Sequence, residues 1–314
     1  MRQLRRIIRS QTPDLLHTTL LFSNLAGRVS ALGTRMPVVT TLANLDYGLE
    51  HKTNSPYGSW AVRAVHCAEI VTAPLTTRFH AISEEVARVM GCRLRIPRDR
   101  IQVVYRGRDP VRLGSPTLER RIRVRASLSL DPETPIVLSI GRLDRQKGVD
   151  MTIEGFRHLV THMPDAILII AGRPGNASSQ IEAAAASIPG VRLLGHRTDV
   201  PDLMCAADVL SFPSRWEGLG GTLVEALALR LPIVASDIAP IAEVIGDVGW
   251  PLVRAEDPRD LAARFASVIK ENPDIEAKKA AGVRRFEKVF TASAAAEGMS
   301  AFYKCALRND ECHL

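Results

Sequence analysis

Two glutamates frame a glycine-rich turn in the run Glu217-Gly-Leu-Gly-Gly-Thr-Leu-Val-Glu225. An apolar stretch, residues 209–212, leads into the turn through Pro213 and Ser214. Leu223, Val224, Ala226, Leu227 and Ala228 continue it as a helix. A strand, a glycine turn and a helix start make a site for an anion: the first N–H groups of the helix are free and its dipole favours negative charge. Gly218, Gly220 and Gly221 let a ligand approach the backbone. Carboxylates beside such a site do not help to hold phosphate. They suit neutral hydroxyls next to the phosphate, as on a sugar or a ribose.

A second turn carries cations. Gly141-Arg142-Leu143-Asp144-Arg145-Gln146-Lys147-Gly148 follows the apolar stretch 136–140. Fixed positive charge after a strand suits a diphosphate, and it lowers the barrier when a sugar–phosphate bond breaks and charge builds on the leaving group. Taken alone, a solvated basic loop reads the same way. A third turn, Gly195-His196-Arg197, follows the stretch 191–194. His158 and His162 have the spacing of a metal pair on a helix, but no His-Glu-x-x-His accompanies them, and they read as surface histidines. The chain contains no Asp-x-Asp, no Gly-x-Gly-x-x-Gly and no Walker sequence, which argues against a metal held at the first and against NAD and ATP.

The elements that must position these turns form a soluble α/β chain. Its 314 residues suggest two domains, with 46% hydrophobic and 24% charged content. The net charge of +7 suits an anionic partner: a nucleotide sugar, an acidic membrane surface or nucleic acid. Nucleic acid is disfavoured, because aromatic residues are 5% of the chain and no basic stretch is interleaved with them. The five cysteines are scattered without a Cys-x-x-Cys pair, so reduced thiols are expected. No apolar run reaches the roughly 18 residues of a membrane span. No secretory signal is visible, and the expected location is cytoplasmic, with peripheral contact at the inner membrane face as an option. That option rests on residues 2–10, whose Leu4, Ile7 and Ile8 share one side of a basic helix; an ordinary helix with a solvated basic face is the favoured reading.

In the amino-terminal half, strands are expected at 14–18, 37–42, 70–73, 79–82 and 101–105. Helices fit at 23–32, from 58 to 67 and at 83–90, with a variable loop at 43–57, and the linker stretch after 105 runs into a helix near 118–127. In the second half, strands at 136–140, 166–171, 191–194, 209–212, 232–235 and 250–253 alternate with helices at 150–162, 179–187, 199–206, 221–229, 241–245 and 257–270. The tail, 275–307, reads as helix interrupted near 290–293. Such alternation predicts mostly parallel sheets, with ligands beyond the carboxyl ends of the strands.

With this context, Glu217 to Glu225 resembles the Glu-x7-Glu signature of retaining glycosyltransferases of family 4, and the turn 141–148 resembles their donor-diphosphate turn. The resemblance is strong over 136–269 and looser over 14–105. It implies a GT-B fold: two Rossmann-like domains facing across a cleft. Residues 1–107 would be a partial acceptor domain, 108–134 a linker, 135–290 the donor domain and 291–314 a crossover helix and tail.

It implies that Arg142 and Lys147 hold the diphosphate, with Arg145 as an extra cation. Gly220, Gly221 and Thr222 would add N–H groups. Glu217 would bind the donor sugar and Glu225 the ribose, with His196 and Arg197 beside the base. The donor would be a nucleoside diphosphate sugar and the acceptor a hydroxyl on a glycan, lipid or small molecule. Transfer would proceed with retention and without a metal or other cofactor.

The chain departs from the family pattern in three ways. Leu219-Gly220 replaces the common Phe-Gly. Met1 falls in what resembles the helix before the fourth strand, so the first domain is expected to lack its opening strands and glycine loop: either the start is misassigned, the chain is a fragment, another chain supplies the missing piece, or this is a degenerate relative. A His common after the strand at 37–42 is missing; Asn44, Asp46 and His51 lie nearby. The last two departures keep open a non-catalytic nucleotide-sugar-binding subunit or a degenerate truncated relative. A sugar-nucleotide epimerase on the same fold is disfavoured by the Glu-x7-Glu pattern.

Overall fold

The computed structural model describes residues 1–45, 47, 59–254, 256–270 and 274–308. The chain forms two compact units, Met1–Arg106 with the chain from Ser293 onward, and Gly107–Ala292.

The first unit carries a four-stranded parallel sheet in the order β1-β2-β3-β4: β1 Leu16–Thr19, β2 Val38–Leu42, β3 Arg78–Ala81 and β4 Ile101–Val103. Helices Arg2–Gln11, Leu21–Ser30, Ser59–Thr72 and Glu84–Leu94 accompany it. Ser83 caps the last of these by accepting from the Val86 N–H. The helix Ala292–Arg308 belongs here from Ser293 on and buries Phe302 and Ala306 against Val39.

The strand expected at 70–73 is instead the end of helix Ser59–Thr72 and a 3-10 turn, Ala73–Leu75. Its β-branched residues suggest a strand, but the helical phase turns Glu69 inward onto the buried Arg28 guanidinium at 3.1 Å. On the first helix Ile8 is buried and Ile7 exposed, so the apolar stripe is partly used within the unit. No described helix is long and apolar enough to cross a membrane. Cys67, Cys92 and Cys205 are free, whereas Cys305 is disulfide-bonded, against the expectation of reduced thiols. Pairing depends on proximity in space, which cysteine spacing along the chain does not reveal.

The second unit holds a six-stranded parallel sheet in the order β10-β9-β8-β5-β6-β7. Its strands are β5 Ile136–Ile140, β6 Ile167–Ala171, β7 Val191–Gly195, β8 Val209–Phe212, β9 Ile233–Ser236 and β10 Leu252–Val253. Val137, Leu168, Ile170, Val209 and Val234 build its core with Ile153, Phe156 and Phe265 of the flanking helices. The order runs outward from β5 through β6 and β7 on one side, and from β8 through β9 and β10 on the other. The direction of winding therefore changes between β5 and β8, and an open α/β sheet offers its ligand crevice at the carboxyl ends of such a pair.

Residues 108–134, expected as a linker, belong to this unit and include helices Pro110–Leu113 and Leu118–Ser127. Arginines hold them in place of an apolar stripe. The buried Arg125 guanidinium donates to Ala206 O (2.9 Å), Thr134 O (2.7 Å) and Asp208 Oδ2 (2.9 Å). Arg121 donates to Asp208 Oδ1 at 2.5 Å and Arg120 to Asp202 Oδ1 at 2.6 Å. The helix Leu118–Ser127 is the one expected near 118–127, whereas the short helix Pro110–Leu113 lies in a stretch without apolar periodicity.

Candidate active site

The loops after β5 and β8 meet at the crossover. Gly148 has φ 64° and sits so close to Pro213 that a Cβ would run into the Pro213 carbonyl oxygen. The Arg215 N–H donates to Gln146 O (2.8 Å), and Gln146 Nε2 to Trp216 O (2.9 Å). Arg215 locks the pair from behind. It forms two bonds to Asp150, at 2.9 and 2.8 Å, two to Glu256, at 2.5 and 3.1 Å, and one of 2.7 Å to Arg145 O. Burial pushes the Asp150 carboxyl up, but the hydrogen bonds and charge of Arg215, with the N–H groups of Asp150 and Met151, hold it below the usual carboxylate range.

Within this frame Lys147 Nζ donates to Glu217 Oε1 at 2.5 Å and lies 5.3 Å from the centre of the Phe212 ring. Both side chains are largely covered, 19% and 7% exposed. Two residues predicted on separate turns thus form one ion pair at the crevice. Arg142 is 61% exposed and bonds Asp144 Oδ2 at 2.8 Å. Asp144 is buried, and its Oδ1 accepts from the Asn176 N–H at 2.9 Å, tying the β5 loop to the loop after β6. Arg145 is exposed.

Gly220, at φ 87°, caps the helix Gly221–Ala228, whose first residues Gly221 and Thr222 are partly exposed. Leu219, standing where the family commonly has Phe, is buried. Glu225 lies one turn further along the helix and accepts from Arg108 Nε at 2.6 Å.

His196 and Arg197 stand apart from this cluster in their bonding. His196 Nε2 is 3.3 Å from Arg173 Nη2, both exposed. Arg197 pairs with Asp199 at 2.7 and 2.5 Å. Hydrogen bonding to that partner raises the Arg197 guanidinium pKa, and the Arg197 bond lowers the Asp199 carboxyl. Backbone brings their turn close: the Gly172 N–H donates to Gly195 O at 2.8 Å, and Gly172 packs on the Gly141 carbonyl too closely for a Cβ. Glycines therefore sit at the carboxyl ends of β5, β6 and β7 and leave the backbone open.

Arg108, Asp144 and Arg215 are site residues that the sequence reading did not single out. The turn 141–148 contains Asp144, but its partners Asn176 and Arg142 are known only from the fold. In the first unit, Asn44 lines a cavity of about 350 Å³ with Asn24, Thr41, Leu42 and Tyr47. Asp46 and His51 lie outside the described residues.

The comparisons with known proteins bear on the two units and their fold. Residues 134–271 match the family model "Glycosyl transferases group 1", and residues 1–112 match "Glycosyltransferase Family 4". Among solved structures, the chain is similar to Anabaena HepE in complex with UDP and glucose (TM-score 0.82, 17% identity, 96% of this chain and 80% of that one). It is also similar to a Rickettsia africae glycosyltransferase (TM-score 0.80, 18% identity, 98% and 81%). The fold is of the GT-B class. The two matched stretches, both described by glycosyltransferase family models, together span most of the chain.

Among curated relatives, it is 28% identical over 216 residues to the lipopolysaccharide core biosynthesis mannosyltransferase LpsB of Rhizobium meliloti, covering 66% of this chain and 61% of that protein. It is also 28% identical over 317 residues to the D-inositol 3-phosphate glycosyltransferase of Xylanimonas cellulosilytica, covering 94% and 72%. The chain thus spans less than two thirds of the Rhizobium protein's length.

Proposed function

We propose that this chain moves a glycosyl group from a nucleoside diphosphate sugar to an acceptor hydroxyl, with retention of configuration. The Lys147–Glu217 ion pair at the β5–β8 crossover carries this reading. A diphosphate seated on the Gly220–Gly221 helix start would draw Lys147 and the exposed Arg142 to its oxygens, with the N–H groups of Gly220, Gly221 and Thr222 beside them. Glu217 would then take donor-sugar hydroxyls and Glu225 the ribose. His196 and Arg197 would flank the base.

The chemistry asked of these groups is electrostatic. As the anomeric C–O bond breaks, the electron pair passes to the leaving diphosphate, and fixed cations stabilise it most when its charge is greatest. The leaving phosphate then accepts the acceptor's proton on the same face, which gives retention. The cations do this work without a metal in our reading, and activity should survive chelator. The acceptor would be a glycan, lipid or small molecule, classes represented among the relatives' names, which include a lipopolysaccharide mannosyltransferase and an inositol phosphate glycosyltransferase.

The test is release of nucleoside diphosphate from UDP-, GDP- and ADP-sugars by the purified chain, with lipid and oligosaccharide extracts as acceptors and proton NMR to read the product anomer. Release giving the donor's own anomeric configuration supports the proposal. An inverted product contradicts retention. Nucleotide binding without release favours the alternative, a non-catalytic nucleotide-sugar-binding subunit or a chain that needs a partner to complete its first domain.

A further inference from the structure

Arg108 reaches the helix Gly221–Ala228 from a stretch with no motif in it. Its main chain is clamped: the N–H donates to Phe290 O at 2.8 Å, and the carbonyl accepts from the Ala292 N–H at 2.9 Å. Gly107 before it packs against Thr291 with no room for a side chain. Held at this point, the Arg108 guanidinium spreads over the start of the helix. Nε donates to Glu225 Oε1 at 2.6 Å, and Nη1 to Gly107 O at 3.2 Å. Nη2 lies against Gly221, where a Cβ would overlap it.

Gly221 and Glu225 are four apart and share a helix face. Glu225 Oε2 has no hydrogen-bond partner among the described residues, and the two side chains remain 31% and 20% exposed. One carboxylate oxygen is therefore fixed and the other is open. The geometry also matches that of the other glutamate. Lys147 neutralises Glu217 on one side of Gly220 and Gly221, and Arg108 neutralises Glu225 on the other. A bare carboxylate at either place would repel a diphosphate on the helix start.

We propose that Arg108 is a positioning residue for the donor: it holds Glu225 Oε1 so that Oε2 faces the ribose hydroxyls, and it cancels the carboxylate's charge beside the diphosphate. This rests on the reading of Glu225 as the ribose ligand.

The experiment is calorimetric binding of UDP, GDP and ADP, and of their 2′-deoxy counterparts, to the full chain. It compares wild type, Arg108→Ala, Arg108→Lys, Glu225→Gln and the Arg108→Ala/Glu225→Gln double variant, with thermal melting of each. Wild type should prefer the ribonucleotide it binds best over its 2′-deoxy form by roughly tenfold, the scale of one hydrogen bond to a charged group. Arg108→Ala should weaken the ribonucleotide by about tenfold or more and bring that preference close to one. Arg108→Lys should restore part of it. On the Glu225→Gln background, Arg108→Ala should change little, because residues acting as a unit are not additive.

An unchanged ribose preference in Arg108→Ala, whatever its melting temperature, would overturn the proposal. So would full additivity with Glu225→Gln. If wild type binds a nucleotide but Glu225→Gln binds it equally well, the assignment of Glu225 fails and the role of Arg108 fails with it. If wild type binds none of the nucleotides, the proposed function itself fails.

Discussion

Lys147 Nζ and Glu217 Oε1 lie 2.5 Å apart, and this one bond joins the loop after β5 to the loop after β8. The pairing has a consequence for binding that differs in sign from its consequence for catalysis. A carboxylate and a phosphate about 6 Å apart repel by roughly 3 kcal/mol at an effective dielectric of 20, before screening. Glu217→Gln removes that repulsion and releases Lys147. Binding of the free nucleoside diphosphate should therefore be unchanged or up to about tenfold tighter, read by calorimetry, while transfer falls. Weaker binding in Glu217→Gln would contradict the pairing as the resting arrangement.

Gly148 permits the same two loops to touch. Its φ of 64° and its contact with the Pro213 carbonyl leave no space for a Cβ. Gly148→Ala should cost about 1–3 kcal/mol in urea unfolding, from backbone strain and displacement of Pro213. Turnover should drop by about tenfold or more, since small misplacements at a reacting centre are costly. Wild-type turnover in this variant would show that loop contact does not position Lys147 and Glu217.

Arg125 is the structural counterpart of the site cations. It is buried, and its guanidinium holds four backbone carbonyls and Asp208. Arg125→Met removes the charge but not the bulk. It leaves Asp208 and several carbonyls short of donors and should destabilise the second unit by about 3–5 kcal/mol. Denaturant unfolding of the full chain reads this directly. A change under about 1 kcal/mol would mean that Arg121 and water replace it.

In the first unit, stability should depend on acid through His80. His80 Nε2 is 2.9 Å from Val104 O, which can only accept, so Nε2 carries the proton. Nδ1 then accepts from the Thr41 hydroxyl at 2.9 Å, Thr41 accepts from His17 Nε2 at 2.7 Å, and His17 Nδ1 accepts from Tyr303 at 2.7 Å. Burial, against the Val104 bond and with smaller help from His17 and Arg106, lowers the His80 pKa from 6.5 to about 4. Between those values the unfolded chain binds the extra proton. Stability is thus fully present above pH 6.5 and is lost as pH falls toward 4, by about 3 kcal/mol at most. Urea midpoints of wild type should fall between pH 7 and 5 more steeply than those of His80→Gln. Parallel slopes would contradict a neutral His80.

Much of the second unit can be read from its sequence. Strands β5 to β9 lie within about one residue of the expected runs. Buried parallel strands such as β5, β6, β8 and β9 are continuous apolar stretches closed by turns, and the half-exposed edge strand β7 is bounded by its glycine turns. Lys147, Glu217 and Glu225 stand out through glycine turns at strand ends. Partners far apart in sequence do not. Arg215 finds Asp150 and Glu256, Asp144 finds Asn176, and Arg108 finds Glu225 only through the folded sheet. Arg108 was hidden twice, since its stretch is held by arginines and so resembles a linker. Residues 70–72 misled for the opposite reason: local β-branched character yielded to a helix that brings Glu69 to Arg28.

The central claim is that the Lys147–Glu217 pair serves glycosyl transfer. The most direct measurement is the steady-state rate of nucleoside diphosphate release by wild type, Lys147→Ala and Glu217→Gln on the donor that wild type uses, with melting temperatures alongside. The account predicts release by wild type, a fall of roughly 100-fold or more in each variant, as when a principal transition-state contact is lost, and melting temperatures close to wild type. Release at near wild-type rates in either well-folded variant would contradict it.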